Sequence, residues 1–194
     1  MIISLTGFMG CGKSSVGKKL SALLCCSFID LDDAIEEAAG KTIPEIFASE
    51  GETEFRKMEK DTLQRIVRQF SGPDCEEVSA VLALGGGTVM IPECAEIVHE
   101  QTLCIYLRAS VDTLVSHLER EAEGRPMLNT GNKDSISPSE ALRKRISDLM
   151  VLRSPIYEKT AHIIIDTDGK TIDQIISSLS CISLTRSWVL AVPR

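Results

Sequence analysis

The stretch GFMGCGKSS, Gly7 to Ser15, follows directly on MIISLT and places three glycines in six positions. Glycine gives up more backbone entropy on folding than any other residue, so three set together need a physical reason. Gly7 to Ser14 fits GxxxxGK[ST], after a short apolar run and before a segment of helical period, the context that gives the pattern its meaning. Backbone N–H groups of such a loop point inward as an anion nest, and the helix that follows adds the positive end of its dipole. A triphosphate is the expected occupant. Gly10, Cys11, Gly12, Lys13, Ser14 and Ser15 are the expected ATP-binding residues, with Lys13 bridging the β and γ phosphates and the Ser14 hydroxyl ligating Mg²⁺.

Outward from this loop, MIISL (1–5), SFI (27–29), AVLAL (80–84), LCIYL (103–107) and HIII (162–165) read as short buried strands. Residues 14–25, 33–39, 43–49, 52–70, 92–101, 111–121, 139–161 and 171–179 carry apolar positions at helical spacing. Five strands separated by helices imply right-handed crossovers, hence an α/β fold of three layers: a five-stranded parallel sheet with helices on both faces. The polar segment NTGNKDSISPS (129–139) is the most loop-like part of the chain.

Composition sets limits on function. The 194 residues are 43% hydrophobic and 25% charged, ordinary for one soluble domain, and the net charge of −7 argues against nucleic acid as a main partner. No apolar run approaches the ~18 residues of a membrane span, and the N-terminus lacks the features of a signal peptide. A cytoplasmic monomer without membrane contact is expected. The seven cysteines show no CxxC spacing and are expected to be reduced thiols, mostly small core residues.

The phosphate loop leaves a small-molecule kinase and a GTPase-like switch to be separated. A switch needs a guanine-reading NKxD and a DxxG after the third strand; Asn132-Lys133-Asp134 is out of register, and Leu84 leads into Gly85-Gly86-Gly87 without an aspartate. The kinase reading prevails. Carboxylates on the metal side must then come from FIDLDDAIE, where Asp30 and Asp32 at i and i+2 of extended chain leave the second strand on one side. One could hold Mg²⁺ through water while the other orients the acceptor hydroxyl. Asp33 with Glu36 three positions on reads as a helix capping box. Gly85 to Gly87 follow the third strand at the carboxyl edge of the sheet, where open α/β folds bind ligands. Arg56 alone reads equally well as a surface charge paired with Glu52 or Glu59.

GFMGCGKSSVGKKLS, FIDLDDAIE, IFASEGETEFRKME, LALGGGTV, RPML and RSPIYEKTA, in this order and at these intervals, resemble the shikimate kinases from Met1 to about Ser180. The resemblance implies a nucleoside monophosphate kinase-like fold with a substrate-binding helical region at about 31–61 and a mobile lid at about 121–138. It implies ATP and shikimate as substrates, transfer to the 3-hydroxyl, and one Mg²⁺. By this resemblance Asp30 stands beside the metal, held through water, and Asp32 contacts the acceptor hydroxyls. Arg56 and Arg153 bind the shikimate carboxylate, Gly85, Gly86 and Gly87 touch shikimate, and Arg125 is the lid arginine over the phosphates. Lys13, Asp32 and Arg125 are the implied catalytic set. Glu59 would orient Arg56, with Phe47 and Phe55 as apolar walls. Gluconate kinases and the nucleotide monophosphate kinases share the loop and lid but suit Asp30, Asp32 and the two arginines less well.

Two places depart from the pattern. Leu118 occupies the slot of an adenine-stacking arginine, with Arg120 the nearest candidate, and the loop Asp166 to Lys170 is short. The tail 181–194, which holds the single tryptophan, Trp188, extends past the usual end.

Overall fold

The computed structural model describes residues 1–71, 77–121 and 137–181. Most of the expected lid, with Arg125, lies outside them, as do Cys75 and the tail beyond residue 181.

The element order is β1 (Ile2–Thr6), α1 (Lys13–Leu23), β2 (Ser27–Asp30), α2 (Leu31–Ala39), α3 (Ile43–Ser49), α4 (Gly51–Phe70), β3 (Ala80–Ala83), a 3₁₀ turn (Thr88–Met90), α5 (Pro92–Gln101), β4 (Leu103–Arg108), α6 (Val111–Glu121), α7 (Pro138–Thr160), β5 (Ile163–Asp166) and α8 (Ile172–Cys181). The five strands form one parallel sheet in the order β2-β3-β1-β4-β5. Parallel strands need crossovers, and every one here passes through helix. The expected fold class is the observed one.

Because the middle of the sheet is covered on both faces, β1 and β3 are buried along their whole length and β4 nearly so, whereas the edge strand β5 alternates buried and exposed positions. Ile3 and Leu5 of β1 meet Val16 and Leu20 of α1, Leu114 and Leu118 of α6, and Ile175 and Leu179 of α8 in one core. Ile2, Leu82 and Tyr106 face the opposite layer, with Leu31 and Ile35 of α2, Leu63 and Val67 of α4, Val98 of α5 and Tyr157 of α7. Each fully buried Leu or Ile contributes on the order of 1.5–3 kcal/mol, so these two layers hold the sheet while its carboxyl edge remains available for polar groups. Among the described residues Cys11, Cys25, Cys26, Cys94 and Cys104 are free thiols, and no helix is long and apolar enough to cross a membrane.

One local expectation needs correction. The aspartate that caps α2 is Asp30, not Asp33: its side chain accepts a hydrogen bond from the Asp32 N–H at 3.2 Å, and the helix begins at Leu31. Leu31 and Ile35, four positions apart, are both buried, so the helical phase is set from Leu31. Asp32 therefore stands in the first helical turn and not in extended chain. Glu36 accepts instead from the Ile43 N–H, at the start of α3.

Candidate active site

The loop between β1 and α1 ends at Gly12, which caps α1 with φ +92°, a left-handed conformation that strongly favours glycine. The Lys13 ammonium folds back over the loop, donating to the carbonyls of Gly7 at 2.9 Å and Phe8 at 3.0 Å. This contact fixes the curvature of the loop beside the free N–H groups at the start of α1. A cleft of about 530 Å³ opens here, reaching from Asp30, Asp32 and Gly86 across Gly10 to Ser15 and on to His117, Thr167 and Lys170.

Beside Lys13, the Ser14 hydroxyl donates to Asp30 Oδ2 at 2.7 Å. A hydroxyl and a carboxylate oxygen side by side are hard donors of the kind Mg²⁺ accepts. Among the described residues no group of three or more His, Cys, Asp and Glu could form a metal cage. The pair fits an ion that takes one or two protein oxygens and completes its shell with phosphate oxygens and water, the usual habit of Mg²⁺.

Asp32 sits deeper. Burial pushes its carboxyl up to about 6, with Asp30 and Glu59 adding in the same direction and Lys13 opposing them. Its neighbour across the cleft is Gly85: a β-carbon there would stand 2.8 Å from Asp32 Oδ1, 3.0 Å from Thr88 Oγ1 and 3.2 Å from Glu59 Oε1. Only a residue without a side chain lets the loop enter among these oxygens.

Two arginines from different helices reach the triglycine loop. From α4, a β-carbon on Gly87 would lie 3.0 Å from Arg56 Nη1, and Arg56 is held by Glu59 Oε2 at 2.8 Å and by Glu52 at 3.3 Å. Both helical ion pairs that the sequence offers are therefore formed, yet the guanidinium lies over the loop and above the Phe55 ring, at 5.2 Å. From α7, Arg153 Nη1 donates to the Gly86 carbonyl at 3.3 Å and its guanidinium stands 5.5 Å from the centre of the Phe8 ring. Phe47 packs against Phe55 with the rings tilted by 34° and their centres 4.6 Å apart, and the pair forms a wall below Arg56.

The structure thus brings together Gly10, Cys11, Gly12, Lys13, Ser14, Ser15, Asp30, Asp32, Gly85, Gly86, Gly87, Arg56 and Arg153 at one edge of the sheet. A phosphate-binding nest, two carboxylates and two cations suit phosphoryl transfer onto a small anionic acceptor.

The shikimate kinase family model matches residues 9–181. This chain belongs to the shikimate kinase family. A shikimate kinase of Thermus thermophilus is 40% identical over 177 residues, 91% of this chain and 86% of that protein. One from Chlorobaculum parvum is 38% identical over 179 residues, covering 92% and 90%. Among solved structures, the Acinetobacter baumannii shikimate kinase in complex with shikimate is 32% identical, with a TM-score of 0.77 and 95% of each chain covered. The Bacteroides thetaiotaomicron shikimate kinase gives a TM-score of 0.79 at 28% identity over 94% of this chain and 97% of that one.

Within this member of the family, Leu118 is fully buried in the α6 core and packs against Gly10, which removes it from any contact with a base. The residue one position before it, His117, lines the cleft, and its Nδ1–H donates to the Gly10 carbonyl at 2.8 Å. Sequence reasoning passed over His117 because the expected slot was counted from the lid arginine. It also assigned no role to Thr88 and Tyr157, although both stand in the motifs GGGTV and RSPIY. The signal available for Tyr157 was its place one helical turn beyond Arg153. At the end of β5, Asp166 accepts two hydrogen bonds from Arg108, at 2.6 and 3.1 Å, and in the short loop that follows Asp168 accepts one from the Ser110 N–H at 2.9 Å. Those bonds hold the loop so that Thr167 and Lys170 form the far wall of the cleft.

Proposed function

We propose that this chain transfers the γ-phosphoryl group of ATP to the 3-hydroxyl of shikimate, giving shikimate 3-phosphate and ADP. The observation that carries the reading is that Arg56, from α4, and Arg153, from α7, both reach the Gly86–Gly87 segment of a loop whose first glycine packs close to Asp32. Two cations converging on one loop favour a carboxylate, and an aspartate beside them favours a hydroxyl.

In this reading the phosphates lie on the N–H groups of Gly10 to Ser15, and Lys13 turns from the loop carbonyls to the β and γ oxygens. Arg56 and Arg153 orient the ring of the acceptor through its carboxylate, so that the 3-hydroxyl faces the γ-phosphorus. Asp32 accepts the proton of that hydroxyl as the new O–P bond forms and the bond to the ADP oxygen breaks. Ser14 and Asp30, the latter through water, are the residues that would hold Mg²⁺. The ion supplies charge neutralisation on the phosphate oxygens when bound. Arg125, outside the described residues, is assigned its place over the transferred group by the RPML signature alone. We assign the enzyme to the cytoplasm as a monomer.

ADP release measured with shikimate, gluconate and AMP as separate acceptors tests the assignment. Strong turnover with shikimate alone is expected; equal or greater turnover with either other acceptor overturns it.

A further inference from the structure

Each clamp arginine has a buried neighbour one helical turn away that grips the triglycine segment. On α4, Glu59 is 1% exposed and both its oxygens are engaged: Oε2 accepts from Arg56 at 2.8 Å and Oε1 from the Thr88 hydroxyl at 2.6 Å. Thr88 is itself fully buried, directly follows Gly87, and its N–H donates to the Gly85 carbonyl at 3.2 Å. On α7, the fully buried Tyr157 donates its hydroxyl to the Gly86 carbonyl at 2.5 Å, while its ring lies 5.1 Å from that of Tyr106 in β4.

The two sides share a design. On each side a short bond from a hydroxyl stands beside a longer bond from an arginine: on the Glu59 carboxylate Thr88 takes Oε1 at 2.6 Å and Arg56 takes Oε2 at 2.8 Å, and on the part-buried Gly86 carbonyl Tyr157 donates at 2.5 Å and Arg153 at 3.3 Å. A buried carbonyl or carboxylate left without a donor is costly, so an arginine that alone satisfied it would be bound to stay. With the Tyr157 hydroxyl in place, Arg153 can turn from Gly86 to a ligand at little cost; with Thr88 holding Oε1, the Glu59 carboxylate stays fixed and keeps Arg56 aimed through its ion pair on Oε2.

We propose that Thr88 and Tyr157 are positioning residues that fix the triglycine loop to α4 and α7 and thereby keep Arg56 aimed, and Arg153 free, to bind the acceptor's carboxylate. The proposal rests on the reading of those arginines as a carboxylate clamp. Tyr157→Phe leaves the Gly86 carbonyl to Arg153 alone, and Thr88→Val removes the donor from Glu59 while keeping the shape.

The test is steady-state kinetics with the full chain, varying shikimate and ATP separately, with thermal unfolding recorded for each variant. Tyr157→Phe and Thr88→Val should each raise the KM for shikimate about five- to tenfold, the scale of one weakened hydrogen bond. The KM for ATP should stay within twofold, and Thr88→Ser should restore the wild-type value. In Arg153→Ala, adding Tyr157→Phe should raise that KM no further, because the arginine it frees is gone. A rise of both KM values together, a loss confined to Tm, or full additivity with Arg153→Ala overturns the proposal while leaving the function standing. Absence of shikimate turnover by the unaltered enzyme overturns both.

Discussion

The Ser14 hydroxyl donates to Asp30 Oδ2 at 2.7 Å, joining the first turn of the phosphate-loop helix to the end of β2. The other oxygen of the same carboxylate caps α2 through the Asp32 N–H. Asp30 therefore has a folding duty beside the metal-side duty proposed for it, and substitution can separate the two. Asn is as good a cap as Asp, so Asp30→Asn should keep stability but demand a higher Mg²⁺ concentration for half-maximal rate. Asp30→Ala should lose both, with about 0.5–2 kcal/mol of stability gone. Equal Tm losses in the two variants would contradict this division.

Asp32 should show the opposite coupling of activity and stability. Its carboxyl is raised from 3.8 to about 6 in the folded chain, chiefly by burial. Between those values the folded state binds a proton that the unfolded state has released, so stability falls as pH rises through this window. At pH 7 the buried charge costs on the order of 1–3 kcal/mol. Asp32→Asn should therefore melt higher than the wild type at pH 7, and the difference should vanish near pH 4. Its kcat should collapse while ATP affinity holds, and wild-type kcat should decline as pH drops below about 6.

Lys13→Met removes the ammonium that bridges the Gly7 and Phe8 carbonyls without touching either core layer. Folding by circular dichroism should be retained and transfer should fall by two or more orders of magnitude, the scale of a lost charge contact to the transferred group. A near-normal kcat would remove the loop from the chemistry.

Gly85→Ala would place a methyl group 2.8 Å from Asp32 Oδ1 and 3.2 Å from Glu59 Oε1. The loop must withdraw. Turnover should drop at least tenfold with the KM for shikimate raised, since Arg56 and Asp32 can no longer address one acceptor; wild-type kinetics would show that the loop does not approach substrate.

His117→Ala should raise the KM for ATP about three- to tenfold, by loss of one hydrogen bond to the Gly10 carbonyl and one wall of the cleft. Shikimate KM should not move. A change in shikimate KM instead would place His117 on the acceptor side.

Much of this was legible along the chain. The strands were, because a sheet buried on both faces writes itself as short apolar runs such as AVLA and LCIYLR. The phosphate loop was, because its chemistry is contiguous. The cap of α2 was not: FIDLDDAIE offers three aspartates, and the choice fell to Leu31, whose burial fixes the helical phase. Leu118 likewise went to the core, leaving His117 on the cleft. The grip of Tyr157 on Gly86 spans 71 residues, and no local pattern announces a contact made only when α7 docks on the sheet.

That distance gives the pocket a birth order. During synthesis the phosphate loop, β2 and α4 emerge early, and Arg56 can pair with Glu59 as soon as α4 forms, since the two are three residues apart. Gly86 must wait for α7, which leaves the ribosome only after β4 and α6. A nascent or truncated chain can thus own a nucleotide loop before it owns the contact of α7 with Gly86, and an acceptor held by Arg56 and Arg153 as proposed would bridge an early helix and a late one, rewarding completion of the domain.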